Sequence, residues 1–138
     1  IVLDHLGGPL GIGAYANDRS AVFEQWRRGI DQLSACPNIA VKLGGLCMPL
    51  NGFGWHKREK PPGSVELMEA LQPWFRYCID SFGVERCLFE SNFPVDKISC
   101  SYTVLWNAFK RIAASYCTAD QDALLHDNAL RIYDLQQL

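Results

Sequence analysis

Glu90 and Asn92 stand two residues apart, where the apolar run Arg86-Cys87-Leu88-Phe89 meets Phe93-Pro94. Side chains on a strand alternate between faces, so a strand here puts Leu88, Glu90 and Asn92 on one face and Cys87, Phe89 and Ser91 on the other. A carboxylate can take a proton from water, whereas an amide cannot and is a poor ligand for a hard cation. His5 closes a second apolar run, Ile1 to Asp4, on the face of Ile1 and Leu3, and the glycine-rich turn after it leaves room for a ligand. Neutral imidazole can polarise a carbonyl or bind a metal. On its residues alone, a hydrogen-bonded core histidine is the simpler reading. Lys42 is a charge inside the apolar run Ile39 to Leu43. A buried lysine needs a partner; Glu90 on the neighbouring strand is one, and a carboxylate substrate is the functional alternative.

Two further groups could face a substrate. Asp96 lies beyond Pro94, and either contacts substrate or, as expected here, caps the following helix, as Ser99 also could. Trp55, His56, Lys57 and Arg58 sit in the long loop Gly44 to Gly63. An aromatic, a histidine and cations suit a polar or anionic, cyclic substrate; a surface lid with a packed tryptophan is the plainer alternative. His126 on the last helix reads as ordinary, and Trp26, Trp74 and Trp106 as core residues.

Three repeats of strand then helix position these groups. Ile1–Asp4 precedes a helix that Asn17 or Asp18 can cap, with Val22, Phe23, Trp26, Ile30 and Leu33 at helical spacing. Cys36-Pro37-Asn38 ends it. Strand Ile39–Leu43 leads through the long loop to a helix with Ser64 as the expected cap and Glu66 in its first turn. Leu67, Met68, Leu71, Phe75, Cys78 and Ile79 are its stripe, Pro73 predicts a kink or break near Gln72, and Gly83 fits the position after its end. Strand Arg86–Phe89 precedes a helix carrying Val104, Leu105, Ala108, Phe109 and Ile112. Thr118-Ala119-Asp120-Gln121 reads as a capping box opening a last helix to about Ala129, with Ile132, Tyr133 and Leu135 continuing it. Apolar strands separated by helices imply a parallel α/β sheet with both faces covered. An open doubly wound sheet and part of a (β/α)8 barrel both fit. The absence of G-x-G-x-x-G and P-loop patterns weakens the nucleotide-binding form of the open sheet.

The 138 residues amount to one domain at most, 49% apolar and 20% charged, which suits a globular chain. A formal net charge of −2 gives no reason to expect nucleic acid or an anionic membrane. No apolar run reaches the roughly 20 residues of a membrane span, and no signal peptide is visible. The six cysteines lack metal-site spacing, so a reduced, cytoplasmic protein is expected rather than a disulfide scaffold. The chain opens without Met in what reads as mid-strand, which suggests a piece of something longer.

Three segments carry a family resemblance. They are Val2-Leu3-Asp4-His5-Leu6-Gly7-Gly8-Pro9, Asn38-Ile39-Ala40-Val41-Lys42-Leu43-Gly44-Gly45-Leu46, and Phe82 through Glu90-Ser91-Asn92-Phe93-Pro94, and Asn128-Ala129-Leu130-Arg131-Ile132-Tyr133 adds a closing helix motif. Together they resemble the amidohydrolase-related TIM-barrel hydrolases, in the branch of metal-dependent hydrolases that includes lactonases. The resemblance implies that residues 1–138 are the C-terminal three βα units of the barrel, parallel strands with outer helices, the N-terminal units being missing. It implies attack of water on a lactone- or amide-type carbonyl of a small polar substrate. It implies that His5 faces the active site, as a metal ligand if zinc or another divalent metal is used, though the branch also has members that work without metal; with the pleat placing Glu90 beside Asn92, the expected catalytic residues are His5, Glu90 and Asn92. Lys42, Trp55, His56, Arg58 and Asp96 are the expected substrate contacts. Many relatives read G-S-D-x-P where this chain has Glu90-Ser91-Asn92-Phe93-Pro94, a recurrent variant, so Glu90 either supplies the missing carboxylate or only pairs with a cation. The alternatives are a decarboxylase on the same scaffold, or an inactive barrel fragment that associates through exposed strand edges, a homo-oligomer included.

Overall fold

The structure is a computed structural model, and it describes residues 1–135. Three short parallel strands form one sheet in the order β1-β2-β3: β1 Val2–Leu3, β2 Ala40–Leu43 and β3 Cys87–Phe89. Val2 pairs with Ala40 and Leu3 with Val41; Val41, Lys42 and Leu43 pair with Cys87, Leu88 and Phe89. Helices α1 (Arg19–Ser34), α2 (Ser64–Phe82) and α3 (Tyr102–Ala113) follow the strands in turn. The chain closes with α4 (Thr118–Asp122), a π-helical turn over Ala123–Asp127 and α5 (Asn128–Ile132).

The apolar stripes meet between sheet and helices. Val41, Leu43, Cys87, Leu67, Leu71, Phe75, Cys78, Leu105, Phe109 and Ile112 are buried there. Phe75, Phe89 and Phe109 join α2, β3 and α3, with ring centroids 5.0–5.9 Å apart. Trp26 and Trp74 pack edge to face at 4.8 Å between α1 and α2, as their helical spacing predicts. Arg86 ties the strand bottoms together: it donates to the carbonyls of Phe82 and Cys36 at 2.9 Å, Ser34 at 2.9 Å and Ile39 at 3.3 Å.

Several local expectations change. Each strand is shorter than its apolar run; Asp4 and His5 belong to a tight turn, Asp4–Gly7, and Arg86 to another, Val84–Arg86. α2 runs unbroken through Pro73. Pro73 and Glu69, whose carbonyl loses its partner, both lie on the exposed face, so water can satisfy it, while buried residues on either side hold the helix in line. Ser64 does not cap α2; Gly63 precedes the helix, and the Ser64 hydroxyl accepts from Arg111 at 3.2 Å. Asp18 does cap α1, accepting from the Ala21 amide at 2.9 Å. The box at Thr118 is shifted by one residue: Cys117 is the cap, and Gln121 donates to the Tyr116 carbonyl at 2.9 Å instead of reaching back to a threonine. The last helix ends at Ile132, with Asp134 at a positive φ of 50°.

Candidate active site

The tight turn after β1 aims His5 sideways across the sheet. His5 and Leu6 adopt left-handed φ values of 55° and 53°, so His5 does not continue the alternation of Ile1 and Leu3. Leu6 is fully buried and its carbonyl accepts from Trp26 Nε1 at 2.7 Å, which anchors the turn from below. His5 Nδ1 then lies 2.5 Å from Glu90 Oε1. Glu90 directly follows β3, its amide still bonded to the Leu43 carbonyl at 3.1 Å.

Gly44 and Gly45 make this approach possible. A Cβ on Gly44 would collide with the backbone and side chain of Glu90, and one on Gly45 with the His5 ring; Gly45 also sits at a φ of +73°. The imidazole–carboxylate pair therefore rests on a floor with no side chains.

Lys42 lies beside the pair, its Nζ 3.0 Å from Asp4 Oδ1 and 3.6 Å from Glu90 Oε2. Burial pulls the ammonium down, but its pairing with Asp4, the neighbouring Tyr133 and the Glu90 charge outweigh it and hold its pKa above the usual lysine value. Lys42 in turn holds the Asp4 carboxyl below the usual carboxylate range, chiefly through their hydrogen bond.

Asn92 leaves the strand. Its φ of 51° is left-handed, so the expected shared face with Leu88 and Glu90 is lost. Its Nδ2 donates to Asp96 Oδ1 at 2.8 Å. Asp96 is fully buried and also accepts from the Cys47 amide, at 3.4 Å. Burial pushes its carboxyl up to about 6, against the pull of the Asn92 amide, the Cys47 N–H and His5. Asp96 is thus no helix cap. Ser101 caps α3, accepting from the Val104 amide, and Ser99 instead donates to the Cys47 carbonyl at 2.5 Å.

The long loop divides. Trp55 is buried and stacked on Phe53 with centroids 4.5 Å apart. Arg58 pairs with Glu66 in the first turn of α2. His56 and Lys57 line a cleft of about 730 Å³ with Ile12, Met48, Leu50 and Val95. Among the described residues, no hydrogen bond or ion pair ties Trp55, His56 or Arg58 to the His5–Glu90–Lys42 group. Exposed His126 pairs with its neighbour Asp127 at 2.7 Å. Asp4, Gly44, Gly45 and Cys47 also build this site. Of these, the Gly-Gly pair directly after an apolar strand is the one with a signal in the sequence, since it marks close backbone approach.

A zinc site needs three or four donors. Among the described residues, no three His, Cys, Asp or Glu side chains are placed to hold a metal. His5 Nε2 is a single available donor, because Nδ1 is held by Glu90 and Asp96 is enclosed.

A histidine–carboxylate pair with a lysine, at the carboxyl ends of parallel strands, places this chain among α/β proteins that carry their chemistry on strand-end loops. It belongs to the amidohydrolase family, whose model matches residues 1–135. An uncharacterised protein, y4mH of Sinorhizobium fredii, is 36% identical over 133 residues, covering 96% of this chain and 38% of that protein. The L-fucono-1,5-lactonase of Burkholderia multivorans is 28% identical over 138 residues, 99% of this chain and 44% of the lactonase. A crystal structure of an amidohydrolase from Burkholderia multivorans superposes with a TM-score of 0.82 at 27% identity, over 98% of this chain and 44% of that one. A second crystal structure from that organism, with bound zinc, gives a TM-score of 0.80. The chain spans roughly two fifths of the length of these curated relatives, 38% and 44%. No described helix is long and apolar enough to cross a membrane.

Proposed function

We propose that this chain is the last three βα units of an amidohydrolase-type (β/α)8 barrel, and that it contributes the histidine base for hydrolysis of a lactone of a small polyhydroxy acid. The observation that carries this reading is the 2.5 Å contact between His5 Nδ1 and Glu90 Oε1. A carboxylate only accepts, so Nδ1 carries the proton and Nε2 keeps its lone pair. Nε2 takes a proton from water as the water oxygen attacks the lactone carbonyl. It returns the proton to the ring oxygen as the carbon–oxygen bond breaks, leaving a hydroxy acid. Glu90 stabilises the transient imidazolium and fixes the ring plane. Lys42, itself paired with Asp4, holds Glu90 in place, so Glu90 acts through His5 and not on water. With one available donor in these residues, no step is routed through a metal. The names of the lactonase relatives support the substrate class, as does the polar cluster itself. A panel of aldonolactones assayed with a pH indicator tests the reading, with carbon dioxide measured in parallel. Acid release that disappears in His5→Gln is the expected result. Carbon dioxide release, or full activity in that variant, would refute it.

A further inference from the structure

Asn92 poses a chemical problem. An amide presents a donor and an acceptor of nearly equal size, and either end can face a ligand. Its neighbours resolve which end is which. Ionised, Asp96 offers only acceptor oxygens to Asn92, and Oδ1 receives the Nδ2 hydrogen at 2.8 Å. Asn92 Oδ1 is turned the other way and has no hydrogen-bond partner among the described residues. The second Asp96 oxygen receives the Cys47 amide, while Ser99 holds the Cys47 carbonyl at 2.5 Å. The turn is closed further by the Asp96 amide on the Asn92 carbonyl at 3.1 Å and the Ser99 amide on the Asp96 carbonyl at 3.0 Å. Two residues before Cys47 is Gly45, the backbone on which the His5 ring rests.

We propose that Asp96 is a positioning residue: its buried carboxylate locks the Asn92 amide with its oxygen outward as an acceptor, and pins the Cys47 segment that seats His5. Asn92 thereby keeps the acceptor function of a carboxylate without its charge, and orients the attacking water or a substrate hydroxyl. Asp96 itself touches no substrate. The kinetic part of this role rests on the hydrolase reading; the amide lock does not. Four titratable groups face the Asp96 carboxylate. They are His5 from the turn after β1, Glu90 from the end of β3, Cys47 from the loop after β2, and Cys100 just before α3.

The first test needs no variant. In the wild-type protein, the side-chain NH2 resonances of Asn92 and the backbone amide of Cys47 are followed by NMR from pH 4.5 to 8. A shared transition with a midpoint near 6 is expected. Resonances that stay still, or that move with different midpoints, overturn the proposal whatever the activity. The second test is exchange. Asp96→Asn is expected to lower kcat about tenfold with KM changed less than threefold, the size expected for one charge-assisted hydrogen bond. Adding Asn92→Asp re-forms the donor–acceptor pair in reverse, and is expected to recover most of the loss. A folded Asp96→Asn with unchanged kcat, or a double variant no better than the single one, overturns the positioning role. If the wild type opens no lactone, the hydrolase reading fails and the NMR titration alone decides the lock.

Discussion

Glu90→Gln is the most informative single change. The substitution keeps the shape and removes the charge that faces His5 at 2.5 Å and Lys42 at 3.6 Å. Stability should fall only modestly. A charge-assisted hydrogen bond contributes about 1.5–3 kcal/mol, and Lys42 keeps its closer partner Asp4 at 3.0 Å. A net loss of about 1–2 kcal/mol follows, read as a shift of the urea midpoint with an unchanged slope. The catalytic effect should be much larger, because the glutamine amide can donate to Nδ1 and so favour the tautomer with its proton on Nε2. That tautomer has no lone pair facing the substrate. Wrong-tautomer variants of histidine–carboxylate enzymes lose about 10²–10⁴ in kcat, or about 3–5 kcal/mol of transition-state stabilisation. The assay is lactone opening across the pH range, with the His5 tautomer read from long-range ¹H–¹⁵N correlations of the ring. The wild type should show Nδ1 protonated, and Glu90→Gln a shift toward Nε2. A Glu90→Gln protein with kcat within threefold of wild type, or an unchanged ring signature, would refute the assignment of Glu90 to His5.

Three other consequences are open to direct measurement. Gly45→Ala places a Cβ against the His5 ring at a φ of +73°, and should cost about 2–4 kcal/mol in urea unfolding and shift the His5 ring resonances; an alanine variant as stable as wild type would show that the floor is not tight. Arg86→Ala removes four hydrogen bonds to carbonyls at the strand bottoms, and should cost about 2–4 kcal/mol in urea unfolding, with Arg86→Lys recovering less than half. Asp96 has a folded pKa of about 6 against an ordinary 3.8. Its contribution to stability is therefore full below 3.8 and lost as pH rises through about 6, a difference on the order of 3 kcal/mol. Denaturation of wild type and Asp96→Asn across pH 4–7 should diverge in that sense, and parallel curves would show that Asp96 ionises as freely as an exposed carboxylate.

The parts legible in the sequence share a property. Leu67, Leu71, Phe75, Cys78 and Ile79 recur at helical spacing, and burial against the sheet enforces that period. The parallel sheet follows from strands apolar on both faces, and the Lys42–Glu90 pair from a lone charge beside a carboxylate. Failures occur where tertiary contacts replace local preference. Pro73 breaks no helix, because the carbonyl it deprives faces outward. Ser64 and Thr118 have the composition of caps, but each is the first residue of its helix, the cap position falls one residue earlier on Gly63 and Cys117, and their hydroxyls supply no cap. Period-two alternation failed at both functional strand ends. His5 and Asn92 are the two positions that left-handed φ values divert from the pleat, and no local composition announces a non-glycine residue held there by its surroundings.

That failure decides how the polar groups of the strand end are paired. On a regular strand, Glu90 and Asn92 would share a face and compete for the same ligand, a carboxylate beside an amide, and the question would be which of them replaces the family's aspartate. The left-handed turn at Asn92 separates them. Glu90 stays with the sheet and is committed to His5 and Lys42; Asn92 turns to the loop and is committed to Asp96. The charge of the strand end is thus divided between two hydrogen-bonded pairs, one with an available imidazole nitrogen and the other with an available amide oxygen. Under the proposed hydrolase reading, His5 supplies the base and Asn92 the acceptor, each held on a separate support.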